Sequence, residues 1–145
     1  MSTARNILVV AHTGRADSLN TAIEVPGRLR DGGVRPVIVE SDRPNLIEAR
    51  ADIGDVAVLD QDVALADIEL TIVLGGDGTI LRAAEIVRDS TCPLMGVNLG
   101  HVGFLAEAER ENLDETVRRA ISREYEVEER MTIDVAVLVD DVEVH

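Results

Sequence analysis

Ile72-Val73-Leu74-Gly75-Gly76-Asp77-Gly78-Thr79-Ile80-Leu81-Arg82 passes from an apolar strand through a glycine turn and straight into a helix. Glu69–Leu74 is β-branched and apolar enough for a buried strand. Gly75, Gly76 and Gly78 supply a turn that tolerates φ > 0 and lets another molecule approach the backbone. From Thr79 the periodicity becomes helical: Ile80, Leu81, Ala84 and Val87 fall on one face. Thr79 suits the helix cap. The turn therefore joins a strand's C-terminal end to a helix's N-terminal end. In open α/β sheets ligands bind at that place, and the helix start offers free N–H groups to phosphate.

Asp77 is the anomaly in this turn. A carboxylate beside a phosphate site repels the ligand unless a metal or a proton-transfer task justifies it. Asp-Gly is also a common hairpin turn. A hairpin needs a strand after the turn, however, and Ile80–Arg88 reads as helix.

Outward from this stretch the pattern alternates. Asn6–Ala11 reads as the first buried strand, followed by the loop His12-Thr13-Gly14-Arg15. Ser18–Arg30 reads as a helix with a kink or break at Pro26-Gly27, ended by Gly32-Gly33. Arg35–Glu40 is the second strand, Asn45–Ala51 a short helix, Asp55–Leu59 a short strand and Gln61–Ala66 a helical turn. Beyond the central helix, Pro93–Val97 is another parallel strand, Asn98–Gly103 a second glycine-rich loop, and Asn112–Ser122 an amphipathic helix. This is the pattern of an α/β fold: a doubly wound, mostly parallel sheet with flanking helices. Tyr125–Val139 then alternates at a period of two and reads as a long antiparallel strand, with a turn at Asp140-Asp141 and a returning strand from Val142.

Gly75–Thr79 is the GGDGT signature shared by NAD kinases, the diacylglycerol and sphingosine kinases and, in variant form, phosphofructokinases. The second block, Gly96-Val97-Asn98-Leu99-Gly100-His101-Val102-Gly103-Phe104-Leu105-Ala106-Glu107, resembles the GxNxGxxGFL segment of NAD kinases. The lipid kinases carry a PxGTGN-type segment instead. The resemblance runs from Ile7 onward and implies an α/β nucleotide-binding domain over residues 1–124, with 125–145 as the opening antiparallel strands of a β-rich second domain. The implied reaction is phosphoryl transfer from ATP or polyphosphate to the 2′-hydroxyl of the adenosine ribose of NAD, giving NADP. A lipid kinase of the same superfamily and a non-catalytic nucleotide-binding module are the rival readings.

Within that reaction Asp77 is the candidate catalytic base. A ribose hydroxyl is a poor nucleophile until a carboxylate takes its proton. Asp77 also suits metal ligation, directly or through water, and the two roles are not exclusive. Gly76 and Gly78 would let ribose or phosphate come close. Arg82, in the first turns of the helix, either reaches a phosphate or faces solvent. Asn98 either positions ribose or phosphate or stabilises its own loop. The resemblance places Phe104, the single Phe of the chain, against adenine; a core position is the alternative. Arg15 is a weaker phosphate candidate, and His101 reads as a loop histidine. No His or Cys pair has metal-ligand spacing, so no protein-built metal site is expected, while the resemblance implies a divalent cation such as Mg²⁺ with the nucleotide.

Composition narrows the partners. The 145 residues suffice for one domain with a real core, and 46% are apolar. One Phe, one Tyr and no Trp leave that core to Val, Ile, Leu and Ala. A net charge of -14 disfavours nucleic acid and anionic membrane surfaces, while the resemblance implies small-molecule nucleotides as partners. The single Cys92 excludes an internal disulfide framework and fits a cytoplasmic protein. No apolar run approaches the roughly 20 residues of a membrane span. A homo-oligomer is expected for the full-length protein.

Overall fold

A computed structural model of the chain describes residues 4–12, 16–49, 56–99, 108–109, 112–131, 133 and 135–144. The elements are β1 (Asn6–Ala11), α1 (Ala16–Asp31), β2 (Arg35–Ile38), α2 (Arg43–Ala49), β3 (Ala57–Val58), β4 (Leu70–Gly75), α3 (Asp77–Ile86), β5 (Leu94–Asn98), β6 (Ala108–Glu109), α4 (Leu113–Ser122), β7 (Val137–Val139) and β8 (Val142–Val144). Short 3₁₀ turns precede α2, at Glu40–Asp42, and β4, at Leu65–Asp67.

Strands β1 to β6 form one sheet in the order β3-β2-β1-β4-β5-β6, and every pairing in it is parallel. Parallel neighbours force each connection to cross a face of the sheet, which is why helices separate the strands. Both faces of β1 are consequently buried. Ile7, Val9 and Ala11 join a cluster with Val25 and Leu29 of α1, Leu46 of α2 and Val117 and Ala120 of α4. Leu8 and Val10 join the opposite cluster with Ala83 of α3 and Val87 just beyond it. The winding direction changes between β1 and β4, which are direct neighbours with Ala11 beside Leu74. A crevice opens at such a reversal because the loops leaving the two strands diverge to opposite faces.

Several local expectations are corrected. Helix α1 runs through Pro26 without a break, because Val25 and Leu29 on either side are fully buried and anchor both halves. Gly33, at φ +81, takes the left-handed conformation that ends the helix region. Strand β2 stops at Ile38, and Glu40 already belongs to the 3₁₀ turn. Leu81 is 63% exposed; the buried face of α3 is Thr79 and Ala83, with Ile80 packed alongside. The long strand expected over 125–139 narrows to Val137–Val139, which among the described residues pairs only with Val142–Val144. The described residues between Glu124 and Ala136 pair with no strand. Alternation supplies two faces but no partner, and Met131, Ile133 and Val135 are all highly exposed. The hairpin turn itself falls at Asp140 and Asp141, both at positive φ as a two-residue connection requires.

Candidate functional site

The ends of β1, β4 and β5 meet at the C-terminal edge of the sheet, on the β1–β4 crevice. Gly75 closes β4 at φ +156. Gly76 follows at φ -113 and ψ -165 and is the N-cap of α3. The helix therefore starts at Asp77, two residues earlier than the periodicity suggests. Thr79 is not its cap: it lies in the first turn, buried against Gly75, and no side chain caps the helix. A side-chain acceptor at the cap is unnecessary where the first-turn N–H groups are left to a ligand or solvent.

This shift of two residues changes the chemistry of the turn. Asp77 occupies the first helical position, partly exposed, where the positive end of the helix dipole favours a carboxylate. Gly78 is a helical residue, not a turn residue. It is exposed, and a Cβ built on it would meet nothing within 4 Å. The same holds for the space around Gly76. Nothing in the folded chain requires glycine at 78, and helix propensity argues against it.

Asn98 is the last residue of β5, buried, and its register partner is Gly75. The Leu99 N–H donates to the Gly75 carbonyl at 3.3 Å, which ties the start of the second glycine loop to the first. Gly76, Asp77, Gly78 and Asn98 are thus brought to one edge. Phe104, His101 and Arg15 lie outside the described residues.

Arg82 is not a simple solvent-facing residue. From α3 its guanidinium reaches across to the end of β1 and to the 3₁₀ turn after β2. Nη1 donates to the Ala11 carbonyl at 3.3 Å, and Nη2 donates to Ser41 Oγ at 3.0 Å and to Asp42 Oδ1 at 2.8 Å. Asp42 is 4% exposed, whereas the Arg82 side chain is 39% exposed. Sequence inspection missed Asp42 and Ser41, because residues 41–54 are polar with only scattered apolar positions and one buried acid leaves no periodic trace. Cys92 is half-buried beneath β4, within 3.1 Å of Thr71 Oγ1, and burial pushes its thiol pKa up, which fits an inert structural role.

Among the described residues no three His, Cys, Asp or Glu side chains cluster as a metal site. No helix in them is long and apolar enough to cross a membrane.

The family model for the ATP-NAD kinase N-terminal domain matches residues 7–125. An NAD kinase of Leifsonia xyli subsp. xyli is 53% identical over 97% of this chain and 46% of its own length. An NAD kinase of Thermobifida fusca is 50% identical over 94% of this chain and 42% of its own. The chain thus spans about half the length of the curated relatives it matches. A crystal structure of yeast NADH kinase complexed with NADH shares the fold, with a TM-score of 0.64, 17% identity and coverage of 84% of this chain and 39% of that one. A parallel sheet reversing between β1 and β4, a Gly-Gly-Asp-Gly-Thr helix start at the reversal, and a family match over residues 7–125 converge: the chain belongs to the ATP-NAD kinase N-terminal domain family.

Proposed function

We propose that this chain is the nucleotide-binding part of an NAD kinase, which moves a phosphoryl group from ATP or polyphosphate to the 2′-hydroxyl of the adenosine ribose of NAD. The observation that carries the proposal is the position of Asp77, the first residue of α3, between partly exposed Gly76 and exposed Gly78 at the sheet's reversal point. Asp77 takes the ribose proton as the hydroxyl attacks the terminal phosphorus. The phosphorus–oxygen bond to the donor breaks, and the pair of electrons leaves with the donor's bridging oxygen. Gly76 and Gly78 admit the ribose to the helix N-terminus, where backbone N–H groups face the developing charge. Asn98 holds the ribose or a phosphate from β5, and Phe104 stacks on adenine.

A Mg²⁺ ion fits as a companion of the phosphates rather than as a resident of a protein cage. Asp77 offers a carboxylate at the start of α3, no three metal-ligating side chains cluster among the described residues, and Mg²⁺ commonly binds through one or two carboxylates plus substrate oxygens. When bound it neutralises phosphate charge. We assign the protein to the cytoplasm and the full-length form to a homo-oligomer, with residues 1–124 and 125–145 belonging to two domains. The hairpin β7–β8 and the exposed apolar residues before it support that division, since a β-rich domain would cover them.

The deciding experiment is NADP formation from NAD, ATP and Mg²⁺ by the chain as it stands and by a form extended past His145. The extended form should turn over and the 145-residue chain should be nearly inactive, because one wall of a cleft neither orients substrate nor excludes water. Equal turnover by both refutes the two-domain account. No turnover by the extended form refutes the kinase.

A further inference from the structure

We propose that Asp42 is a positioning residue for nucleotide binding: from the 3₁₀ turn after β2 it fixes the guanidinium of Arg82 at the mouth of the β1–β4 crevice, so that the remaining donors of Arg82 meet the phosphates of a nucleoside triphosphate. The inference rests on the nucleotide-binding half of the reading above.

Three features carry it. First, Arg82 is held by three acceptors from two different parts of the chain: the Ala11 carbonyl at the end of β1, and Ser41 Oγ and Asp42 Oδ1 from the 3₁₀ turn. Both Nη2 hydrogens are committed in this way. Nε–H and the second Nη1–H take part in none of these bonds, and the side chain keeps substantial solvent exposure. Second, Asp42 is itself almost wholly buried, and its Oδ2 is shielded from solvent with no hydrogen-bond partner among the described residues. A carboxylate in that setting is costly unless a cation faces it, so its presence is tied to Arg82. Third, the latch spans the reversal point. It joins the helix that begins at Asp77 to the ends of β1 and β2, the edge on which ligands of such sheets bind. A guanidinium locked by a buried acid keeps its planar fork in one orientation, and less freedom is lost when phosphate arrives.

The test is ATP binding in the presence of Mg²⁺ by calorimetry on the chain, with donor KM and kcat measured on the extended form. Asp42→Ala should weaken ATP about tenfold or more, the scale of one charged hydrogen bond. Arg82→Ala should do the same, and the double variant should be no weaker than Arg82→Ala alone. Asp42→Asn, which retains an oxygen that accepts from Nη2, should recover most of the affinity. In the extended form donor KM should rise while kcat at saturation moves less. Thermal melts accompany each variant, because a purely structural Asp42 would lower the melting temperature and leave affinity untouched. That result, or additive losses in the double variant, overturns the proposal. If Asp42→Ala fails to fold, Arg82→Lys decides, since it keeps the charge and loses the fork; wild-type affinity in it overturns the proposal. A wild-type chain that binds ATP while its extended form leaves NAD unphosphorylated refutes the kinase reading alone. Absence of ATP binding by both the wild-type chain and its extended form overturns both.

Discussion

Thr79 sits directly over Gly75: a Cβ built on Gly75 would lie 2.6 Å from Thr79 Oγ1 and 3.0 Å from Thr79 Cβ. Gly75 also holds φ +156, which side chains disfavour. Gly75→Ala should therefore destabilise the fold by roughly 2–5 kcal/mol, from backbone strain and overpacking together. Adding Thr79→Ala should recover only part of this, because the Thr79 Cβ contact and the backbone strain remain. Urea melts of the two variants measure it, and a Gly75→Ala protein as stable as wild type contradicts the geometry.

Gly78 should respond in the opposite sense. It is exposed, helical and surrounded by open space. Gly78→Ala should raise stability by about 0.5–1 kcal/mol, the helix-propensity difference. It should also weaken NAD or ATP binding, since the new methyl group occupies the path of a ligand approaching the backbone. A variant that is both more stable and fully active would remove Gly78 from the site.

Asp77→Asn should leave the fold in place. It gives up a favourable charge at the helix start, worth about 0.3–1 kcal/mol. In the extended form kcat should drop by about 10²- to 10⁴-fold with NAD affinity largely kept, because Asn cannot accept the ribose proton. A defect that eases as Mg²⁺ is raised would assign Asp77 to the metal instead. Near-wild-type kcat at saturating NAD, ATP and Mg²⁺ refutes both roles.

At the opposite edge of the sheet, Glu69 precedes β4 and receives Arg5 Nε at 2.9 Å and Arg123 Nε at 3.3 Å. Arg5 also donates to the Ile121 carbonyl at 2.7 Å, joining the start of β1 to the end of α4. The hydrogen bond from Arg5 holds the Glu69 carboxyl below its ordinary value, with Arg123 adding to the effect. The folded state is thus the one that binds its proton more weakly. This stabilisation is complete above the ordinary carboxylate range near pH 4.5 and is lost as pH falls through the lower folded value. Glu69→Gln should cost about 1 kcal/mol at pH 7. The gap between it and wild type should stay constant down to about pH 5 and close below it, as read from chemical melts across that range.

The fold was legible where burial on both faces wrote itself into composition. β1 is apolar at every position from Ile7 to Ala11, and its limits agree with the sequence expectation residue for residue. The start of α3 was harder, since glycine at 76 and 78 looks like an uninterrupted turn until the backbone shows that Gly78 is already helical. The tail was overread because alternation marks a strand only when a partner exists, and here just three residue pairs bond. Among the candidate site residues, Asp77 stands out in the sequence by its mismatch with a phosphate cradle. Arg82 could be placed near the helix start but not given its partners, because the Asp42 pairing spans 40 residues and follows from sheet order alone.

The sheet order also governs how quickly the molecule can assemble. β1 is the first of the described strands along the chain, and its two neighbours are reached very differently: Asn6 finds Arg35 after one helix, whereas Ile7 must wait for Leu70. The β1–β4 crevice is therefore closed late, after the entropy of a long loop has been overcome. Until then β1 offers an unpaired edge of Ile, Leu and Val, a surface open to other chains. The seam proposed to receive the ligand is in this sense the molecule's slowest joint, and refolding yield should fall with rising protein concentration before any change in the stability of the folded fraction is seen.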